Sequence, residues 1–211
     1  MDEKEIQNLV RTITMQMLGK KQEKLIPIAV SNRHVHLSQQ HVERLFGKGY
    51  QLKKMKDLSQ PGQFAGQETV TLIGPKGRIE KVRILGPSRG DTQVEISLYD
   101  GYTLGIHPPI RDSGDIKGSP GITIQGPRGQ LSLKEGLICA ARHIHMHTDD
   151  ALSLQVENNQ RVQVKVEGPR AVTFDHVLIR VSPKYKLEMH IDMDEANAAG
   201  IQNGQLGTIL P

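Results

Sequence analysis

The sequence predicts a mainly β protein made of two duplicated small β-barrels with short helices, preceded by an amphipathic N-terminal helix. Apolar segments of about five to eight residues recur between turn signals, which is typical of short strands. The 211 residues include 21 Gly and 11 Pro, which serve turns between such strands. The two halves also repeat one order of motifs, and closing each half into a barrel leaves few free strand edges.

The first 18 residues differ from the rest of the chain and predict the helix. The following run GKKQEK is typical of a helix end and a charged linker. One short helix is marginal in water, so its apolar side needs a partner in its own domain, in a neighbouring subunit or in another protein. The apolar residues at helical spacing are Ile6, Leu9, Val10, Ile13 and Met17.

From Ile26 onward the pattern favours strands. Two short helices are predicted after the capping-type residues Ser38 and Asp192, and the second ends at a glycine, as a helix C-cap does. The predicted strands are, in order, IPIAVSN, ETVTLIG, IEKVRILG, TQVEISLY, GITIQG, GLICAARHIHM, ALSLQVE, RVQVKVEG, HVLIRVS, KLEMHID and LGTIL.

An internal repeat organises these segments. RHVHLS pairs with RHIHMH, and in both halves two strands around a Gly-Pro turn follow. Aligning the Gly-Ile steps that begin at residues 105 and 200 brings Glu95 opposite His190. We therefore divide the chain into residues 1–25 (helix and linker), 26–125 (first barrel unit) and 126–211 (second barrel unit), and leave open whether the halves interleave.

A His-x-His pair in each half predicts a metal site. Alternate side chains of a strand leave the same face, so both histidines of a pair point one way. Neutral imidazole suits zinc and other late transition metals, and a catalytic zinc site takes three protein ligands. The best third ligands are the aligned residues of the repeat, which gives two sites: His34, His36 and Glu95, and His143, His145 and His190.

Composition argues against several other classes. The formal net charge is only +4, and no basic stripe with interleaved aromatics is present, so we expect no nucleic-acid partner. Cys139 is the one cysteine and is interpreted as a buried apolar thiol, which favours a reducing compartment. No secretory signal and no apolar run of roughly 18 residues is found, so we expect a cytoplasmic protein without a membrane span.

The turn GPSRG at residues 86–90 provides a candidate anion site. It matches Gly-x-Ser-x-Gly, but a nucleophile elbow needs a helix after the turn and a strand is predicted there, so Ser88 is not a candidate nucleophile. Arg89 precedes Glu95 by six residues, and its guanidinium is suited to bind an oxyanion in two-pronged fashion beside the metals.

These segments together resemble a known family. VSNRHVHLS, GPSRGDTQVEIS, KGSPGI, ARHIHM and RVSPKYKLEMHIDMDEANAAG, in this order, are similar to the phosphate propanoyltransferases of bacterial microcompartments, which are metal-dependent phosphotransacylases. The resemblance implies two zinc ions, or another transition metal such as cobalt, on the six ligands above, and Arg89 as the catalytic phosphate-binding residue. It implies coenzyme A contacts at Val30, Ser31, Asn32, Lys76, Arg83 and Asn197.

The same resemblance implies an activity and a location. The expected reaction converts a short acyl-CoA, propanoyl-CoA above all and acetyl-CoA as a second possibility, and phosphate to acyl-phosphate and CoA. Residues 1–20 resemble an encapsulation peptide that docks on shell or core proteins in the lumen of a microcompartment. The ligand set by itself is also compatible with a dizinc hydrolase, or with a non-catalytic adaptor whose metal ions only stabilise the fold. The sequence does not decide whether the protein forms a homo-oligomer.

Overall fold

A six-stranded barrel forms one half of the molecule. The structure is a computed structural model that describes residues 6–11, 14 and 24–210. The strands that close the barrel are, in spatial order, β1 (Leu25–Ser31), β14 (Glu188–Asp192), β11 (His143–Met146), β13 (Val172–Val181), β12 (Arg161–Val166) and β15 (Leu206–Ile209).

A nine-stranded sheet, curved as a half-barrel, forms the other half. The predicted mainly β fold is thus confirmed, with one half closed and the other open. The strands of this sheet are, in spatial order, β7 (Ile110–Arg111), β10 (Leu137–Ala140), β6 (Gln93–Glu95), β2 (His34–His36), β5 (Arg78–Gly86), β4 (Phe64–Ile73), β8 (Thr123–Gln125) and β9 (Gln130–Ser132), with β3 (Lys54–Asp57) beside β4.

Strict alternation of side chains builds the two apolar cores. In β12, with the sequence RVQVKV, each valine is buried and each polar residue is exposed. This is the pattern of a strand with one face on a core and one in water. One cluster of buried apolar residues fills the barrel, and a second lies under the nine-stranded sheet.

The two repeats exchange a strand. β1, which precedes the first His-x-His pair, lies parallel to β14 of the second repeat, with Ala29 opposite His190. β10, which precedes the second pair, lies parallel to β6 of the first repeat, with Ile138 opposite Glu95. The two sheets therefore interleave along the chain, and the boundary between them does not fall at residue 125. The division of the chain into two barrel units remains a prediction.

Four short helices lie within residues 24–210: α1 (Gln39–Phe46), α2 (Leu98–Leu104), α3 (Thr148–Leu154) and α4 (Met193–Ala199). Ser38 caps α1 and Asp192 caps α4, which confirms both predicted helices. Gly200 ends α4 in the left-handed conformation that glycine adopts without a steric penalty.

The strand predicted for ALSLQVE is wrong, because most of that segment belongs to α3. The His147 side chain accepts a hydrogen bond from the backbone N–H of Asp149 and so caps the helix. Two aspartates in the first turn stabilise the helix, because their negative charges interact favourably with the positive end of the helix dipole. The strand predicted for TQVEISLY likewise ends at Glu95, and α2 follows from a Ser97–Asp100 capping box.

The described part of the N-terminal segment is helical, as predicted. Ile6, Leu9 and Val10 are 46%, 48% and 56% exposed, so this apolar side does not pack on the barrels. Ile13 and Met17 lie outside the described residues. Among the helices that the structure describes, none is long and apolar enough to cross a membrane.

Candidate metal centre

The first histidine pair meets Glu95 across two antiparallel strands. In the ladder of β2 and β6, His34 lies directly opposite Glu95. The His34 Nε2 atom is 3.5 Å from Glu95 Oε2, and the His36 Nε2 atom is 3.9 Å from Glu95 Oε1. Tetrahedral zinc with bonds of about 2.0–2.1 Å holds its ligand atoms about 3.3 Å apart. The three side chains are therefore already close to a ligand arrangement, and we name them the first triad.

The second histidine pair lies beside His190 on the corresponding strands, although the ligand atoms of these three residues are not as close together as those of the first triad. His143 lies opposite His190 in the ladder of β11 and β14, which repeats the His34–Glu95 register. The three imidazole centroids are 4.8 to 5.2 Å apart. Both ring nitrogens of His145 are buried without a hydrogen-bond partner among the described residues, whereas Nε2 of His190 lies 3.2 Å from Glu188 Oε2. Unpartnered buried nitrogens are costly, and a metal ion would satisfy them. These three residues form the second triad.

Backbone carbonyls fix the tautomer of the first histidine in each triad. His34 Nδ1 lies 2.8 Å from the carbonyl oxygen of Asn32, and His143 Nδ1 lies 2.8 Å from that of Ala141. Because a carbonyl only accepts, each Nδ1 carries the proton and each Nε2 presents its lone pair. This is the usual outer-sphere support of a metal-bound imidazole.

The electrostatics of the triads suit ligation by neutral imidazole and ionised carboxylate. Burial and the charge of His34 lower the pKa of His36 to about 3. In the second triad, burial and His190 lower the pKa of His143 to about 4, and burial and His143 lower that of His145 to about 2. These imidazoles are thus neutral at physiological pH, as metal binding requires.

His34 and Glu95 shift each other's pKa in the first triad. Burial disfavours the charged form of His34, but the nearby Glu95 carboxylate outweighs burial and raises the pKa of His34. Burial also disfavours the Glu95 carboxylate, and the adjacent histidines nevertheless hold its pKa below the usual range. A cation bound here competes with the proton for His34 Nε2 and finds its carboxylate ligand already ionised.

The arginine before each histidine pair forms an ion pair that links the two strands of the triad. Arg33 holds Asp100 in two-pronged fashion, with nitrogen–oxygen distances of 2.9 and 2.8 Å. In the second repeat Arg142 Nη1 lies 3.1 Å from Glu195 Oε1. Asp100 and Glu195 are the carboxylates of the capping boxes that begin α2 and α4. Each box starts two residues after the third ligand, so the clamp joins the strand of the pair to the strand of that ligand.

Removing one of these carboxylates should weaken one metal site selectively. We expect Asp100→Asn to lower the zinc affinity of the first triad by about 10–100-fold, as loss of outer-sphere support does, and to leave the second triad unchanged. We expect Glu195→Gln to do the reverse. Competition titrations against a chromophoric chelator measure both affinities.

Glu167→Gln is the matched control, because Glu167 forms an exposed ion pair with Lys165 and has no hydrogen bond or ion pair to either triad among the described residues. Two zinc affinities equal to those of the unsubstituted protein in Asp100→Asn would show that the clamp does not position the ligands.

Both triads open onto one cleft of about 820 Å³. Arg89 lines this cleft, and its backbone N–H donates to the carbonyl of Leu37, which anchors the turn beside β2. Its guanidinium is accessible from the cleft and forms no ion pair with any described residue. Partial loss of solvation lowers the pKa of Arg89, although the group remains a cation. The cleft therefore combines two ligand triads with an unpaired guanidinium fork.

A sequence model of the phosphate propanoyltransferase family matches residues 27–202, a range that includes both triads and Arg89. The chain belongs to this family. The predicted resemblance is confirmed, and the chain is an enzyme of the transferase class.

Relatives named phosphate propanoyltransferase match nearly the whole chain. The protein of Priestia megaterium is 55% identical over 210 residues, which cover 99% of this chain and 97% of the relative. That of Thermotoga maritima is 55% identical over 186 residues, with 88% and 89% covered. That of Salmonella typhimurium is 51% identical over 204 residues, with 96% and 95% covered.

The residues predicted to contact coenzyme A fall into two groups in this transferase. Four of them line the cleft: Val30, Ser31, Asn32 and Arg83. The other two are not among the residues that line it. Lys76 lies in the turn after β4, where its N–H donates to Leu104, and the carbonyl of Asn197 in α4 accepts from Arg170. Arg83 itself donates to the carbonyls of Gly66 and Gln67.

Sequence reasoning missed several polar residues of the cleft wall, three of which lie on or near the second triad. Arg180 lies on β13, and the Tyr185 ring stacks on His145 with centroids 4.3 Å apart. Glu188 Oε2 lies 3.2 Å from Nε2 of His190. The sequence carries no clear signal for Arg180, because His176 and Ser182 alternate with it in HVLIRVS and the arginine fits an exposed position.

Cys139 is a buried thiol, as predicted. Its Sγ donates to Asp192 Oδ2 at 3.3 Å. Burial and the adjacent Asp192 carboxylate raise the pKa of this thiol, so it is a poor nucleophile.

Proposed function

We propose that this enzyme transfers a short acyl group between coenzyme A and phosphate, with propanoyl-CoA as the expected acyl donor and acetyl-CoA as the alternative. In the forward direction a phosphate oxygen bonds to the thioester carbonyl carbon, the carbon–sulfur bond breaks, and acyl-phosphate and CoA thiolate are released. The observation that carries this proposal is the convergence of two ligand triads and the unpaired Arg89 on one cleft.

The six triad residues would hold two zinc ions, or two ions of a similar metal such as cobalt. The support is the donor chemistry of the site: neutral imidazoles, one ionised carboxylate and the orphaned nitrogens of His145. When bound, such ions supply positive charge that polarises a carbonyl and stabilises a thiolate. The cleft supplies the space for both substrates.

Arg89 binds and orients the phosphate in this proposal. Its fork matches two phosphate oxygens and places the third against the thioester carbon, which removes much of the entropic barrier to reaction. The same guanidinium stabilises the negative charge that develops on the carbonyl oxygen.

The chain's own residues favour direct transfer without an acyl-enzyme. Cys139 is buried and hydrogen-bonded to a carboxylate. Ser88 Oγ donates to the side chain of Gln39 and is not among the residues of the cleft wall. Phosphate is therefore the attacking group in the single chemical step that we propose.

Coenzyme A would lie along the end of β1 in this proposal. Val30, Ser31 and Asn32 line the cleft beside both triads, which supports their predicted contacts. Arg83 lies on the same wall and supplies positive charge for the CoA phosphates. Lys76 and Asn197 keep their predicted contacts only if CoA extends beyond the cleft.

An assay of CoA release separates the proposed transferase from the alternative dizinc hydrolase. The metal-loaded enzyme is incubated with propanoyl-CoA, with and without phosphate, and free thiol is measured. We expect thiol release only with phosphate, together with one equivalent of acyl-phosphate. Thiol release at the same rate without phosphate would establish hydrolysis instead. Acetyl-CoA, one methylene shorter, should differ in kcat/KM by about 10–200-fold.

We further propose that residues 1–20 deliver the enzyme to the lumen of a bacterial microcompartment. The support is the exposed apolar side of the described helical residues, with Ile6, Leu9 and Val10. A fluorescent protein fused to residues 1–20 should co-sediment with intact shells, and the Leu9→Asp fusion should stay in the supernatant. Equal sedimentation of both fusions would contradict docking through this apolar side.

A further inference from the structure

The cleft contains a second arginine that no role above uses. Arg180 lies on β13, directly opposite His145 in the parallel ladder with β11. Side chains of paired residues leave a sheet on the same face, so the Arg180 side chain leaves the barrel on the face of the second triad. Arg180 accordingly lines the cleft together with Arg89.

The Arg180 guanidinium is held loosely and unpaired. Its one hydrogen bond runs from Nη1 to the carbonyl of Ser113, and at 3.4 Å it is long. No ion pair joins it to a carboxylate of the described residues, although the arginines before the histidine pairs are both paired. A half-buried cation that keeps most of its N–H donors free is ready to bind an anion.

The Ser113 contact also places Arg180 relative to the first triad. The Ser113 hydroxyl donates to Glu95 Oε1 at 2.9 Å, while the carbonyl of the same residue accepts from Arg180. Arg180 thus spans from the barrel, which holds the second triad, to a loop that touches the first. Its charge acts on the same groups, because its positive field lowers the pKa of both Arg89 and His145.

We propose that Arg180 is a second phosphate-binding residue, which together with Arg89 holds the attacking inorganic phosphate from opposite repeats. This inference deepens the proposed function and rests on it. Two guanidinium groups on one cleft repel each other, and a dianion between them removes that repulsion. The ligand chemistry is a phosphoryl dianion, and the two sources in this reaction are inorganic phosphate and the phosphates of CoA. We assign Arg180 to inorganic phosphate because it lies beside the two triads.

The test is a substrate-by-substrate comparison of Arg180→Ala with Arg161→Ala. Arg161 is the matched control, since it lies on the neighbouring strand β12 and likewise donates one hydrogen bond to a backbone carbonyl, but outside the cleft. We expect Arg180→Ala to raise the KM for phosphate by about 10–100-fold, the effect of losing a charge-assisted hydrogen bond. The KM for propanoyl-CoA and the zinc content should change less than twofold.

A direct binding measurement separates this inference from the proposed function. Calorimetric titration of inorganic phosphate into the zinc-loaded protein, without CoA, should show the same 10–100-fold weakening in Arg180→Ala and none in Arg161→Ala. Weakened phosphate binding in a protein that transfers no acyl group would overturn the proposed function and keep Arg180 as an anion ligand. Phosphate binding and KM equal to those of the unsubstituted enzyme would overturn the inference and keep the function.

Two further outcomes decide against the inference. A rise in the KM for propanoyl-CoA alone would assign Arg180 to the CoA phosphates.

If Arg180→Ala loses zinc or its cooperative melting transition, Arg180→Lys replaces it in the test, because lysine keeps the positive charge but lacks the two-pronged guanidinium. The inference requires Arg180→Lys to bind phosphate more weakly than the unsubstituted enzyme, and equal binding in that variant overturns it.

Discussion

Glu95→Gln is expected to hold one zinc ion per chain instead of two and to lose about 10³-fold or more in kcat. Glu95 is the only anionic member of the two triads, and its carboxylate faces both His34 and His36 within 4 Å. The amide is nearly isosteric but neutral, so the first triad loses the charge that attracts a divalent cation. Metal analysis and steady-state assays on the same preparation measure both effects.

The controls for Glu95→Gln come from the same sheet and from the repeat. Glu80→Gln changes an exposed carboxylate on β5 that pairs only with Arg78, and it should keep two ions and full activity. His190→Ala removes the corresponding residue of the second repeat and should also leave one ion, this time in the first triad. Two ions and unchanged kcat in Glu95→Gln would mean that Glu95 is not a ligand.

Arg89→Ala should lower kcat/KM for phosphate by about 10²–10³-fold, the cost of removing one donor to developing charge. The loss should come without loss of metal, because Arg89 lies beside the triads and contributes no ligand atom. Arg78→Ala is the matched control, since Arg78 is an exposed arginine on β5 outside the cleft. Metal content, and the KM for phosphate and for propanoyl-CoA, distinguish an anion-binding role from general damage to the site.

Activity of Arg89→Ala close to that of the unsubstituted enzyme would contradict this role. Joint loss of zinc and activity would show that Arg89 supports the fold of the triads instead. The two arginines of the cleft also predict a coupling. If they bind one phosphate ion, the combined loss in Arg89→Ala with Arg180→Ala should fall short of the product of the single losses, as expected for residues that share a ligand.

The sequence predicted the mainly β fold and the strand register of the six triad residues. Alternation along a strand places both histidines of a pair on one face, and the Gly-Ile steps set Glu95 and His190 in register. The structure reproduces that register, with each of these residues opposite the first histidine of its pair. The alternation of side chains along each strand and the capping residues of the helices that follow were sufficient to predict this register.

Strand exchange between the repeats could not be predicted from the sequence. β1 pairs with β14, more than 150 residues later, and hydrophobic alternation reveals which face of a strand is buried but not which strand is its neighbour. The missed helix α3 has a related cause. Its short apolar segment fits a strand and a helix equally well, and the capping His147 decided between them.

Arg180 was missed even though its strand was predicted, because the sequence does not show which strand lies beside it. A single arginine in HVLIRVS is compatible with an exposed position, and only the pairing of β13 with β11 brings it to the face of His145. Tyr185 escaped for a similar reason, since it lies in a turn and reaches the second triad only through the fold.

The proposed activity depends on two metal ions held on one cleft by matching halves of this chain. Metal quantification on purified, active enzyme, followed by chelation and stepwise reloading with zinc, tests this dependence. We expect two ions per chain at full activity, loss of acyl transfer on chelation, and recovery that is complete only at the second equivalent. Full phosphate-dependent acyl transfer by protein with no bound metal would contradict this dependence.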